Sequence, residues 1–125
     1  VVIASLGEAK IAREVVAHSN GKAISVAGMT GLKELVALIG RASFFVCNDT
    51  GPMHIAAALN VPAFAIFGPA NPLRTGPYGT IHTVIQRKMD CAPCYAKQPC
   101  SHFRCMNELS VEDVFKIIDQ KIRQT

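Results

Sequence analysis

A chain of 125 residues, half of them hydrophobic and 18% charged, has enough apolar material for a buried core and too little charge for a disordered segment. Thirteen Lys and Arg against nine Asp and Glu leave a formal charge of +4, a mild excess that suits an anionic ligand and is weak evidence for a nucleic-acid binder. No apolar run is long enough to cross a bilayer and "VVIASLGEAK" has neither the basic leader nor the cleavage site of a signal peptide, so the chain reads as cytoplasmic.

Starting directly on an apolar strand pattern, the sequence also reads as a piece of a longer protein. Val1 to Ala4 is a short apolar run, followed by Lys10 to His18 with Ile11, Ala12, Val15 and Val16 at helical spacing before Asn20-Gly21 stops it. "KAISVAG" predicts a second strand with Ile24 and Val26 alternating, and Leu32, Leu35, Val36 and Ile39 predict a helical face. Phe44 to Asn48 and Ala63 to Phe67 are unbroken apolar runs too short for helices, the pattern of strands covered on both faces, with a helix from about Pro52 to Leu59 between them. A Gly- and Pro-rich loop, Gly68 to Thr80, precedes a fifth strand at His82 to Gln86. Ser110 opens the last helix as an N-cap with Asp113 in its first turn, and Val111, Val114, Ile117, Ile118 and Ile122 supply a buried stripe. Strand and helix alternate almost throughout, which predicts one α/β domain: a Rossmann-like parallel sheet with helices on both faces.

Between two of those strands lies "NDTGPMHIAAALNVP", residues 48 to 62. In an open parallel sheet, ligands bind beyond the carboxyl ends of the strands, where helix N-termini present free backbone N–H groups. Gly51 has no Cβ to block an approaching ligand, Pro52 fits the first helical position, and Ala56, Ala57 and Ala58 let the helix lie close on the sheet. Thr50 alone could be an N-cap and His54 alone a solvent-facing residue. An Asp, a Thr, a Gly and a His within seven residues exceed what capping requires and point to an anion site, a phosphate or diphosphate.

The segment "FFVCNDTGPMHIAAALNVPAFAIFGPANPLRTGPYG" closely resembles the signature of the family-nine glycosyltransferases, the heptosyltransferases of the lipopolysaccharide inner core. A looser likeness extends from "SLGE" to "ELSVEDVFKII". The resemblance implies a GT-B architecture, two Rossmann-like domains across a cleft, with residues 1–125 as the carboxyl-terminal, donor-binding half. By the same resemblance the amino-terminal domain, with the acceptor site and the general base, lies outside this sequence, so the catalytic base is not among these residues. It further implies ADP-heptose as donor, the lipopolysaccharide core as acceptor, no nucleic acid, and peripheral association with the inner face of the cytoplasmic membrane. The lysine-bearing basic segment that usually opens this domain is missing, and Ala4 stands where a glycine is common.

Carried over from the family, Asp49, Thr50, Gly51 and His54 would contact the diphosphate and the transferred sugar. Thr50 and Gly51 can offer backbone N–H groups to phosphate, and His54 can donate to leaving-group charge. Asp49 would be repelled by a diphosphate, so it either accepts from sugar hydroxyls or orients His54. Glu8 stands where an acid binds the ribose hydroxyls, or else is a first-turn acid favoured by the helix dipole. Met29 and Thr30 match the segment bordering the base. In the loop holding Gly68, Pro69, Asn71, Arg74, Thr75 and Tyr78, Arg74 either offsets donor charge, meets the other domain, or is a solvated surface residue. The mechanism implied is inverting transfer with no cofactor required; the absence of an Asp-x-Asp pair removes the usual reason to expect a divalent cation at the donor.

"CAPCYAKQPCSHFRC" spaces Cys91, Cys94, Cys100 and Cys105 as C-x2-C and C-x5-C-x4-C, with His102 among them. Four thiols in fifteen residues could hold zinc or an iron–sulfur cluster, form disulfides, or stay reduced. Cys47, alone in an apolar strand, reads as a small buried hydrophobe. Arg87, Lys88, Lys97 and Arg104 around the cysteines keep open a different class, a zinc-stabilised basic module that binds nucleic acid or protein, although that idea leaves residues 48 to 62 unexplained. A nicotinamide-binding Rossmann domain is disfavoured because no G-x-G-x-x-G follows the first strand.

Overall fold

The computed structural model describes residues 1–95 and 100–124. Lys97, one of the basic residues noted above, lies outside the described residues. The sequence reads as one domain; the chain divides into two compact units, residues 1–38 and 39–125.

In the first unit the expected strands are reduced to a minimal parallel pairing. Val2 bridges Ser25, with Val2 N–H donating to the Ile24 carbonyl at 2.7 Å and Val26 N–H to the Val2 carbonyl at 3.0 Å. A 3-10 turn, Leu6–Glu8, leads into α1 (Ala9–Ala17), close to the predicted bounds. Of its apolar stripe only Ala12 is buried, while Ile11 and Val15 stay exposed. Helix α2 (Leu32–Gly40) forms where expected; Leu32 is exposed, and the helix's last two residues, the buried Ile39 and Gly40, belong to the second unit.

The second unit is built on a parallel sheet of order β1-β2-β3, with β1 Phe45–Asn48, β2 Ala63–Phe67 and β3 Thr83–Gln86. Helix α3 (Gly51–Ala58) crosses from β1 to β2 and packs on both. The α/β parallel class expected from the alternation of elements is therefore the class found. Strand β2 is central and its Ala63, Phe64, Ala65 and Phe67 are buried, as its unbroken apolar run predicts. Strand β1 departs from that expectation. Among the described residues it pairs with β2 alone, and its residues alternate in burial because successive side chains point to opposite faces, one of which leaves Val46 44% exposed.

Met53 from α3 and Ala65 and Phe67 from β2 form the core at this junction, with Cys47 and Ala70 packed against them. Burying a side chain the size of Phe67 contributes about 1.5–3 kcal/mol. Phe44 meets Phe64 edge to face, ring centroids 5.9 Å apart. Of the three small residues expected to bring α3 onto the sheet, Ala56 is fully buried, Ala57 half-buried and Ala58 exposed, so only one of them makes the close contact.

The Gly- and Pro-rich loop holds one helical turn, α4 (Pro72–Thr75), capped by the Asn71 side chain accepting from Leu73 N–H at 3.0 Å. A second short turn, α5 (Arg104–Asn107), precedes α6 (Val111–Arg123). Ser110 caps α6 as predicted, its hydroxyl oxygen accepting from Asp113 N–H at 3.0 Å. The predicted buried stripe is corrected: Val114, Ile117 and Ile118 are half-buried, whereas Val111 and Ile122 are exposed with Phe115. Helical periodicity marks an apolar face but does not say what covers it.

Candidate donor-binding site

Asp49, Thr50, Gly51 and His54 gather at the carboxyl end of β1 and the start of α3, as their sequence spacing requires. Thr50 occupies the N-cap position with extended backbone, φ −144° and ψ 168°, but does not cap the helix with its side chain. Its hydroxyl instead donates to the Asn48 carbonyl at 3.4 Å; in the first turn Pro52 has no N–H and the Met53 N–H donates to the Thr50 carbonyl at 3.1 Å, which leaves the Gly51 N–H without a side-chain acceptor. A Cβ placed on Gly51 would meet no atom within 4 Å. Neither packing nor backbone strain within the chain calls for glycine here, and the end of the helix is open.

Asp49 does not meet His54. Its carboxylate Oδ2 accepts from the Thr75 hydroxyl at 3.5 Å, and the same hydroxyl lies 3.3 Å from the Asn71 carbonyl. This contact ties the end of β1 to α4, 26 residues away. Of the two roles open for Asp49, orientation of His54 has no contact behind it among the described residues. His54 is exposed one turn into α3.

Gln86 is the residue that sequence reasoning missed. At the end of β3 its Nε2 donates to the carbonyls of Gly68 and Ala70, at 3.0 and 2.9 Å, fixing the start of the loop. The only sequence signal was a polar amide at the carboxyl end of a strand. Arg74 is exposed and its guanidinium lies 5.7 Å from the centre of the Tyr95 ring, so it braces the loop against the cysteine segment as well as carrying charge.

Glu8, Met29 and Thr30 belong to the first unit. Glu8 Oε2 accepts from the Ser5 hydroxyl at 2.6 Å and from Ser5 N–H at 3.1 Å, and these bonds hold its carboxyl below the usual range. These bonds make Glu8 part of a capping box with Ser5 at the helix start. Met29 is 75% exposed, so it is not core packing, and Thr30 is half-buried.

All five cysteines are free thiols. Burial raises the Cys47 thiol to about 11, and its sulfur lies 3.9 Å from the Phe64 carbonyl, the behaviour of a small apolar residue. Cys91, Cys94, Cys100 and Cys105 line one small cavity with His102. Burial, then the charge of the neighbouring thiols, raises Cys105 above its ordinary value. Among the described residues no three His, Cys, Asp or Glu side chains are already set to hold a metal ion. Next to this cavity lies a larger one of about 280 Å³, lined by Arg87, Lys88, Met89, Asp90, Cys91, His102, Arg104 and Glu108. Arg104 and Arg87 both pair with Glu108, the latter at 3.7 Å, and the hydrogen bond from Arg104 holds Glu108 below the usual carboxylate range. The basic cluster is thus partly neutralised, which weakens the nucleic-acid reading.

Comparison with known proteins defines the class. Residues 2–103 match glycosyltransferase family 9 (heptosyltransferase), and the chain belongs to that family. It is 32% identical over 109 residues to lipooligosaccharide heptosyltransferase 2 of Campylobacter jejuni, covering 86% of this chain and 33% of the relative. Against lipopolysaccharide heptosyltransferase 2 of Escherichia coli it is 40% identical over 79 residues, 57% of this chain and 23% of the relative. Among solved structures, E. coli ADP-heptose lps heptosyltransferase II superposes with a TM-score of 0.78 at 26% identity, over 98% of this chain and 35% of that one. A family 9 glycosyl transferase from Veillonella parvula gives the same TM-score at 24% identity, a likeness of fold. The chain spans about a third or less of the length of these proteins. No helix among the described residues is long and apolar enough to cross a membrane.

Proposed function

We propose that the chain is the donor-binding part of an inverting heptosyltransferase, the carboxyl-terminal half of a GT-B enzyme, that takes ADP-heptose and serves the lipopolysaccharide inner core from the cytoplasmic side of the membrane. The observation carrying this reading is the open N-terminus of α3: no side chain caps it, and at Gly51 there is free space. A diphosphate oxygen placed there would accept from the Thr50 and Gly51 N–H groups, since Pro52 has none and the Met53 N–H donates to the Thr50 carbonyl at 3.1 Å, and it would sit in the favourable end of the helix dipole. Family membership supplies the reaction class.

In this reading an acceptor hydroxyl attacks the anomeric carbon, the bond from that carbon to the diphosphate oxygen breaks, and its electron pair leaves on ADP. The acceptor proton passes to a base outside residues 1–125. Helix-terminal N–H groups and His54 stabilise the charge growing on the departing diphosphate. Asp49, held by Thr75 rather than by His54, faces sugar hydroxyls as an acceptor. The isolated chain turns over nothing, since the base lies elsewhere.

Calorimetric titration with ADP and with UDP tests this. Saturable binding of ADP in preference to UDP, weakened by Asp49→Ala or His54→Ala, is the expected result. A folded protein that binds neither nucleotide, or Asp49→Ala and His54→Ala variants that bind ADP as tightly as the parent, overturns the assignment of the site.

A further inference from the structure

From the convergence of Cys91, Cys94, Cys100 and Cys105 on a single cavity, we infer that these four thiols form a structural zinc site that clamps the loop after β2. The cysteines come from two separate turns, Cys91 and Cys94 on one side of residues 96–99 and Cys100 and Cys105 on the other, yet all four line the same wall. Sequence proximity alone does not require this.

Four thiolates around one ion is the tetrahedral set that zinc takes in closed structural sites. Among the described residues no three of these sulfurs stand at ligating distance from one point, so the proposal requires them to draw together when the ion binds.

The surroundings already suit thiolate sulfur. Phe103 N–H donates to Cys100 Sγ at 3.3 Å, with Phe103 held in the left-handed region at φ 44°, a turn that aims the amide back at the sulfur. Arg104 N–H donates to His102 Nδ1 at 3.3 Å, and Cys100 Sγ lies 3.8 Å from the same nitrogen, which places His102 beside the ligands as an outer partner. On binding, four S–H bonds break, four Zn–S bonds form and four protons pass to solvent. The resulting site carries two negative charges, and the adjoining cavity is lined with Cys91 by Arg87, Lys88 and Arg104 together with the acids Asp90 and Glu108.

The loop depends on this segment. Cys94 N–H and Tyr95 N–H both donate to the Pro69 carbonyl, at 3.0 and 2.9 Å. A Cβ on Gly68 would stand 2.7 Å from Met106 Sδ and 3.6 Å from Cys105 Sγ, so the loop and α5 touch where the cysteine sits. A metal joining the four sulfurs therefore fixes the carbonyl and glycine on which the loop turns.

The protein expressed from its complete reading frame and purified under reductant should carry about one zinc per chain by elemental analysis. After chelation, cobalt(II) should restore the strong visible bands of tetrahedral thiolate coordination at about one equivalent. Cys94→Ser and Cys105→Ser should lose the metal, and Cys47→Ser should keep it. Chelation of the parent protein, followed by circular dichroism, keeps the test valid if either serine variant fails to fold. Folded, reduced protein that holds no zinc and gives no thiolate–cobalt bands overturns the proposal. So does the finding of bound iron with inorganic sulfide, or of disulfides among these four residues.

Discussion

Gln86 donates its side-chain amide to the Gly68 carbonyl at 3.0 Å, and to that of Ala70 at 2.9 Å, so the end of β3 holds the first turn of a loop that follows β2. Replacing it by Leu leaves two carbonyls without their partner, at about 1–3 kcal/mol if they stay dry. Gln86→Leu should therefore lower the unfolding free energy by that amount in a denaturant titration. It should also speed hydrogen exchange at Leu73 and Arg74, which the sheet itself does not protect. Unchanged exchange in the loop would show that Gln86 is not its anchor.

The bond between Gln86 and Gly68 could not be read from the sequence, nor could that between Asp49 and Thr75. Each joins residues 18 or more positions apart, and periodicity reports only neighbours on one element. Strand β2 was legible because a continuous apolar run fits a strand buried on both faces, and the start of α6 because Ser110 and Asp113 form a local cap. The edge position of β1 was not, since "FFVCN" is as apolar as "AFAIF" and only the strand order separates them. For the site, the motif located Asp49, Thr50, Gly51 and His54, while the partner of Asp49 had to come from the fold.

The contrast between β2 and β1 sets a stability test. Phe67 is fully buried, and truncation to Ala should cost about 3–5 kcal/mol through lost transfer energy and the cavity left behind. Val46 on the edge strand is 44% exposed, so Val46→Thr should change stability by less than about 0.5 kcal/mol. Thermal or urea denaturation of both variants measures the difference. Equal effects would mean that β1 is covered after all.

Burial that raises the Cys47 thiol to about 11 makes it a poor nucleophile. Near pH 8 its thiolate fraction is about a hundredfold below that of an ordinary cysteine, so alkylation should slow by roughly that factor relative to the unfolded chain. A variant retaining Cys47 as its sole cysteine isolates the signal for mass spectrometry. Modification as fast in the native as in the unfolded protein would contradict the burial.

Glu8 has two possible duties, and pH separates them. Its bonds to Ser5 lower the folded pKa, so the helix start gains stability above the unfolded carboxyl pKa and loses it as pH falls through the folded value. Ser5→Ala should raise the Glu8 pKa toward the ordinary carboxylate range, as followed by NMR titration, because the hydroxyl is the largest cause of the shift. If the carboxylate also accepts from ribose hydroxyls, Glu8→Ala removes those bonds and weakens ADP binding by about tenfold. Ser5→Ala keeps the carboxylate and should leave the affinity within about twofold, less than 0.5 kcal/mol. Equal losses in the two variants would reduce Glu8 to a residue that starts α1.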